Sequence, residues 1–301
     1  MHHVVTLAAG SGRTLSTDRL SVVEEALAEH HIETGAVDWL AAGRACDLPI
    51  GPVGRPERLS ALSDDLRRRL EGAEVDVAVQ PAAGRRKRLL VADMDSTIVT
   101  GETLDELADE AGIKPHVAAI TARAMNGELD FKAALRERVR LLANLPVAAL
   151  ERTWARVEPT AGAATLVRTM RANGAFALLV SGGFRFFTSR VRTTIGFDRD
   201  EANDLEIADG RLTGKVHEPI LDRDSKLRFL LAAAAERGLT SQDCLAIGDG
   251  ANDLPMLQEA GLGIAFRAKP TVAAACPVRI DHGDLETALF YQGYRESEFV
   301  G

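Results

Sequence analysis

The chain is poor in cysteine, in aromatic residues, in positive charge and in long apolar runs, and each shortage excludes something. Its three cysteines, Cys46, Cys244 and Cys276, are odd in number, far apart and never arranged as CxxC, which excludes a disulfide framework and a thiolate zinc site. Ten Phe, two Trp and two Tyr in 301 residues are too few to make a base-stacking surface a first expectation. Lys and Arg total 36 against 44 Asp and Glu, a net charge of −8, and an acidic chain lacks the basic face that non-specific nucleic-acid binding requires. No apolar stretch approaches the roughly 20 residues that span a bilayer. Residues 4–10 are apolar, but no Lys or Arg precedes them, so a secretory leader is not expected and the chain reads as soluble and cytoplasmic. No GxxxxGK[ST] occurs, which disfavours a P-loop nucleotide hydrolase.

What is present is ordinary for a folded protein: 46% hydrophobic and 27% charged residues, with a length that suggests two domains. The first eighty or so residues form a unit. A strand over 4–8 is followed by cap residues Ser16-Thr17-Asp18 and a helical stripe of Leu20, Val23, Ala26 and Leu27. Two strands within 36–50 turn at Ala42-Gly43; a helix over 56–71 carries Leu59, Leu62, Leu66 and Leu70; a last strand covers 75–79. The order βαββαβ is the split βαβ, or ferredoxin-like, pattern, and it resembles the ACT-type modules that bind small molecules in amino-acid enzymes. Residues 81–84 and the run Arg85-Arg86-Lys87-Arg88 are expected to be a solvated boundary rather than a nucleic-acid or membrane contact. The expected domains are 1–82 and 83–301.

From residue 89 the pattern becomes α/β. The continuous apolar runs 89–92, 176–180 and 245–247 fit parallel strands buried on both faces, with further strands at 263–266 and 278–280. Residues 202–207 and 212–216, joined by Asp209-Gly210, read as a hairpin. The interval between the first two strands is far longer than a crossover needs and is helical in period from about 104 to 156. Four short helices inserted there, at about 103–157, would hang as a cap over the carboxyl ends of a doubly wound, Rossmann-like sheet, where ligands bind.

The chemistry concentrates at strand ends. The first strand runs into Asp93-Met94-Asp95-Ser96-Thr97. Two carboxylates so close repel and resist desolvation unless a divalent cation lies between them, and oxygen donors without His or Cys favour Mg²⁺. The strand at 245–247 runs into Gly248-Asp249-Gly250-Ala251-Asn252-Asp253, where Asp253 can serve as a plain N-cap but Asp249 has no structural excuse. Ser181-Gly182-Gly183 follows a strand and offers a hydroxyl and amides to an anion. Lys226, in a first helical turn, opposes the helix dipole unless an anion offsets it. Singly, each of these has an ordinary reading as a loop acid, a turn or a solvated lysine. Together they describe phosphoryl transfer with a strand-end aspartate as nucleophile.

In this order the four segments resemble the motifs of the haloacid-dehalogenase-like phosphatases, over residues 89 to about 290. With Gly101-Glu102-Thr103, the cap stretch 131–142 and Val180-Ser181-Gly182-Gly183-Phe184, they resemble more narrowly the phosphoserine phosphatase family. The resemblance implies Mg²⁺-dependent hydrolysis of O-phospho-L-serine to serine and phosphate, the last step of serine biosynthesis, through an aspartyl phosphate. Asp93 would be the nucleophile and Asp95 the acid and base. Asp93, the backbone carbonyl of Asp95 and Asp249 would bind the metal, with Asp253 and Gly183 supporting. Ser181, Gly182 and Lys226 would hold phosphoryl oxygens, and Asn252 would orient nearby groups. In the cap, Glu102 would meet the ammonium group, Arg138 would clamp the carboxylate, and Met125 and Phe131 would exclude water. As bare residues Glu102 is equally a helix-start acid, Arg138 a snorkelling arginine within the stripe Phe131, Ala134, Leu135, Leu141 and Leu142, and Met125 and Phe131 core. Two rivals stay open: a capped phosphatase or phosphotransferase for another small ester such as homoserine phosphate, and a phospho-accepting switch, which Asp95 and the cap oppose. For residues 1–82, amino-acid binding and pairing into a homodimer both stand open.

Overall fold

The structure, a computed structural model, describes residues 2–125 and 128–301, with the side chains of 56, 57, 124 and 125 outside the description. The first unit contains β1 (His3–Ala9), α1 (Thr17–Glu29), β2 (Asp38–Ala41), β3 (Ala45–Ile50), α2 (Pro56–Arg69) and β4 (Val75–Pro81). Its sheet has the order β2-β3-β1-β4, antiparallel throughout, as a split βαβ demands. Period-two alternation sorts the strands' side chains. Val5, Leu7, Cys46, Leu48, Ile50, Val75, Val77 and Val79 share one core with Leu20, Val23, Leu27, Leu62 and Leu66 of the two helices.

The other face carries Thr6, Asp47, Asp76 and Gln80, all buried, and it rests on the rest of the chain. Both carboxylate oxygens of Asp76 accept from backbone N–H groups, of Asp281 at 2.8 Å and of Gly283 at 2.7 Å. Gln80 donates to the Tyr291 carbonyl at 2.5 Å. The basic run belongs to this junction. Arg85 pairs with Asp47, Arg86 pairs with Glu298 at 2.9 Å, and Lys87, only 9% exposed, donates to the carbonyls of Gly84 and Gln242. The expectation of a solvated boundary is therefore wrong for Arg85 and Lys87, whereas residues 81–84, Arg86 and Arg88 are exposed as expected. Buried acceptors contributed from distant segments require donors there, and local sequence does not reveal them.

The second unit contains β5 (Leu89–Ala92), α3 (Thr103–Glu110), α4 (Lys114–Met125), α5 (Phe131–Arg140), α6 (Ala148–Trp154), α7 (Ala163–Ala172), β6 (Phe176–Phe184), α8 (Arg185–Val191) and β7 (Arg199–Asn203). It continues through β8 (Leu205–Ala208), β9 (Arg211–Val216), α9 (Arg223–Ala235), β10 (Cys244–Gly248), α10 (Leu254–Glu259), β11 (Leu262–Phe266), α11 (Pro270–Ala275), β12 (Val278–Ile280) and α12 (Thr287–Tyr291). Six strands form a parallel sheet in the order β12-β11-β10-β5-β6-β7. Two apolar layers cover it: Leu90, Ala92, Leu179, Leu245 and Ile247 face one, and Leu89, Val91, Leu178, Val180, Cys244 and Ala246 the other. This is the doubly wound, Rossmann-like α/β fold that the apolar runs predict. Chain order reverses between β5 and β10, so a crevice opens at their carboxyl ends.

Helices α3–α6 form the cap. The hairpin β8–β9 joins it, since Asn144 donates to the Leu212 carbonyl at 2.8 Å and Gly214 lies against Ala143. Two details differ from expectation. The segment 202–207 is not one hairpin strand: its start ends β7, an edge strand whose residues Arg199, Asp200 and Glu201 carry no apolar run to betray it. Leu141 is 37% exposed and outside the cap stripe, where Val139 is buried instead. Among the described residues no helix is long and apolar enough to cross a membrane.

Candidate active site

Asp93 directly follows β5, and its N–H still donates to the Ile247 carbonyl of β10 at 3.0 Å, so the sheet ladder itself fixes where the carboxylate leaves the core. The chain then turns irregularly through Met94–Ile98, with Ser96 in the left-handed region at φ 56°. Asp249 follows the end of β10. The Gly248-to-Asp253 turn folds back so that Asp253 Oδ2 accepts the Gly250 N–H at 2.9 Å. Asp253 stands at the start of α10 but makes no capping bond there; the plain N-cap role is not what its side chain does. One carboxylate oxygen from each of Asp93, Asp249 and Asp253 lies within 4.8 Å of the others.

Lys226 reaches this cluster from α9. Its Nζ sits 2.6 Å from Asp93 Oδ1 and 2.5 Å from Asp253 Oδ1, and the residue is 3% exposed, so it is no solvated lysine. Burial works against its charge, but Asp253 and Asp93 outweigh it and raise its pKa. Three carboxylates against one ammonium leave a formal charge of −2 in a buried place. Burial, with Asp253 next, pushes Asp249 up to about 6, and the same two causes raise Asp93 well above the carboxylate range despite Lys226. A site built of oxygens alone with two unbalanced negative charges fits a hard divalent cation. Asp93, Asp249 and Asp253 could hold it by side chains. The Asp95 carboxylate is not in the cluster: its Oδ1 accepts from the Thr103 N–H at 2.8 Å and its Oδ2 from Ser181 Oγ at 3.4 Å.

That engagement puts Asp95 beside the Ser181-Gly182-Gly183 turn. Ser181 Oγ also accepts the Gly183 N–H at 2.9 Å. Burial first, then the Glu102 charge, pushes the Asp95 carboxyl up to about 7, a value suited to giving and taking a proton near neutrality. Ser181, Gly182, Phe131, Asn252 and Lys226 line one small crevice. The Phe131 ring covers Gly182 so closely that a Cβ there would stand 3.1 Å from it.

Of the cap residues, Glu102 lies near enough for its charge to act on Asp95 and Asp249, though neither it nor Arg138 lines that crevice. Glu102 is exposed at the start of α3 and accepts from Ser96 Oγ at 2.7 Å. Arg138 is half-buried, and burial lowers its pKa against the pull of Asp105 and Glu102. Its Nε donates only to its own helix, at the Ala134 carbonyl, 3.3 Å away, and among the described residues it forms no ion pair. A half-buried guanidinium with its fork unspent suits an incoming carboxylate. Met125 closes α4, and its side chain lies outside the described residues.

Three positions of the site escape the sequence reading. Thr97 Oγ1 donates to Asp249 at 3.4 Å, and the Thr103 amide fixes Asp95. Asn203, at the end of β7 and 2% exposed, donates to the Gly182 carbonyl and accepts from the Leu221 N–H, both at 2.8 Å. It thereby ties the Ser181-Gly182-Gly183 turn to the segment entering α9. Proximity to the Asp-x-Asp motif could have flagged the threonines; nothing local marks Asn203. Gly248 has a sharper requirement, because a Cβ there would lie 2.4 Å from Asp253 Cγ. Gly248→Ala is expected to lower stability by about 1–3 kcal/mol through overpacking; an unchanged urea midpoint would show that Asp253 is not held where it stands.

The sequence profile of the haloacid dehalogenase-like hydrolases matches residues 90–258. A phosphoserine phosphatase of Streptococcus thermophilus is 48% identical over 199 residues, covering 66% of this chain and 93% of its own length. A phosphoserine phosphatase of Archaeoglobus fulgidus is 48% identical over 206 residues, 68% of this chain and 60% of its own. The chain spans 55% of the length of the Streptomyces coelicolor relative. The crystal structure of a hydrolase of the same family from Salmonella enterica serovar Typhi superposes with a TM-score of 0.83 at 29% identity, over 96% of this chain and 98% of that one.

Proposed function

The chain belongs to the haloacid dehalogenase-like hydrolase family, and within it to the phosphoserine phosphatases; from that premise and the site geometry we propose that it hydrolyses O-phospho-L-serine with Mg²⁺ as cofactor. The observation that carries the proposal is the meeting of Asp93, Asp249 and Asp253 with Lys226 beside Ser181 and Asp95. The cation would be held by Asp93, Asp249 and the Asp95 carbonyl, with Asp253 beside them, and it supplies charge neutralisation for the phosphoryl oxygens.

Asp93 Oδ attacks phosphorus while the bond to the serine oxygen breaks. Asp95, carrying a proton, gives it to that oxygen. Serine leaves, and Asp95 then takes a proton from water, whose oxygen attacks the aspartyl phosphate and releases phosphate with Asp93 restored. Lys226, Ser181 Oγ and the Gly182 amide hold the phosphoryl oxygens, and Asn252 orients them. Glu102 and Arg138 take the substrate's ammonium and carboxylate groups. Residues 1–82 and 83–301 are taken as separate domains. Since one face of the first sheet is spent on the second unit, any homodimer made through residues 1–82 has its α1–α2 layer to use.

The test is phosphate release across phosphoserine, phosphothreonine, homoserine phosphate and sugar phosphates. Phosphoserine is expected to be preferred, with activity lost in excess chelator and restored by Mg²⁺. Preference for a sugar phosphate would overturn the substrate, and full activity in chelator would overturn the cofactor.

A further inference from the structure

Helix α5 carries further cations besides Arg138. Lys132 and Arg136, one helical turn apart, meet the segment that enters α9. Lys132 Nζ lies 2.9 Å from Asp222 Oδ2, and Arg136 donates to Glu218 at 2.6 Å. From this we infer that Lys132–Asp222 and Arg136–Glu218 latch the cap over the active site, making Lys132 and Arg136 positioning residues for the reaction.

Four observations support a latch rather than chance surface pairs. Both pairs cross from cap to core, and Lys132 directly follows Phe131, whose ring covers Gly182. Asp222 is also the N-cap of α9, in a capping box with Ser225, so the cap is tied to the helix end that places Lys226. Lys132 is also the leading cause that holds the Asp222 carboxyl down at about 2. Asn203, through the Leu221 N–H, secures the same segment to the Ser181 loop. The latch thus grips the part of the core that carries both anion-binding elements.

Single exposed pairs contribute little, but two acting together on one hinged layer shift an open–closed balance by about three- to tenfold. The kinetic readout rests on the phosphatase reading; the exchange readout does not. In the full chain, Lys132→Gln with Arg136→Gln is expected to speed hydrogen exchange in α5 and in residues 218–222 by about that factor, without substrate present. KM for O-phosphoserine should rise similarly while kcat holds or increases. In the substrate-free exchange measurement about 0.5 M NaCl should move the wild type toward the variant and leave the variant unmoved, and Lys132→Arg should keep wild-type values. Unchanged exchange and KM in the double variant, or a fall in kcat at constant KM, would overturn the latch. A wild type with no phosphatase activity would sink the functional reading while exchange still decided the latch.

Discussion

Asp93→Asn is expected to reduce phosphate release from O-phosphoserine by at least roughly 10³-fold, the scale on which loss of a covalent nucleophile is felt. The amide keeps the size of the side chain and can still accept the Met94 N–H, which Asp93 Oδ1 takes at 2.8 Å, so the fold should survive. It removes the attacking charge and one of three carboxylates from the buried cluster. Because that cluster is over-supplied with negative charge, the variant should unfold at no lower a temperature than the wild type in the absence of metal. Loss of activity with loss of stability would point to a structural role instead; retained Mg²⁺-dependent turnover would remove Asp93 as nucleophile.

Arg138→Ala should separate substrates rather than abolish turnover. Hydrogen bonds to charged groups contribute about 1.5–3 kcal/mol, so kcat/KM for phosphoserine is expected to fall by about 10- to 100-fold, chiefly through KM. A phosphate ester without a carboxylate should lose at most about threefold, because it never engages the guanidinium. The selectivity follows from what Arg138 does in the absence of substrate: it is half-buried and, among the described residues, bonded only to its own helix at Ala134, so truncation strands no partner among them. Equal losses for both substrates would mean that the residue supports the packing of the cap and not the recognition of serine.

The site was legible where physical demands are local. The strands 89–92, 176–180 and 245–247 are buried on both faces and so are apolar without interruption, and a carboxylate placed directly after such a run has to face an opening. Lys226 and Ser181 are legible for the same reason once a shared anion is supposed. What stayed hidden depends on partners far along the chain. β7 is an edge strand with charged residues. Asn203 acts only because Gly182 and Leu221 arrive beside it. Lys87 is buried because Gln242 and Gly84 offer carbonyls there, and Asp253 gives up capping because Gly248 leaves room for it to turn to Gly250 and Lys226. The ferredoxin-like order of the first unit was readable from its alternation, whereas the use of its second face as a docking surface was not, since Asp76 and Gln80 look like solvent-facing positions.

The measurement that bears most directly on the account is mass spectrometry of the protein quenched in acid during turnover of O-phosphoserine with Mg²⁺. A single phosphoryl group is expected on the peptide containing Asp93, absent from Asp93→Asn and absent without metal. A phosphoryl group on any other residue, or hydrolysis at full rate with no phosphorylated protein at the earliest quench times, would contradict it.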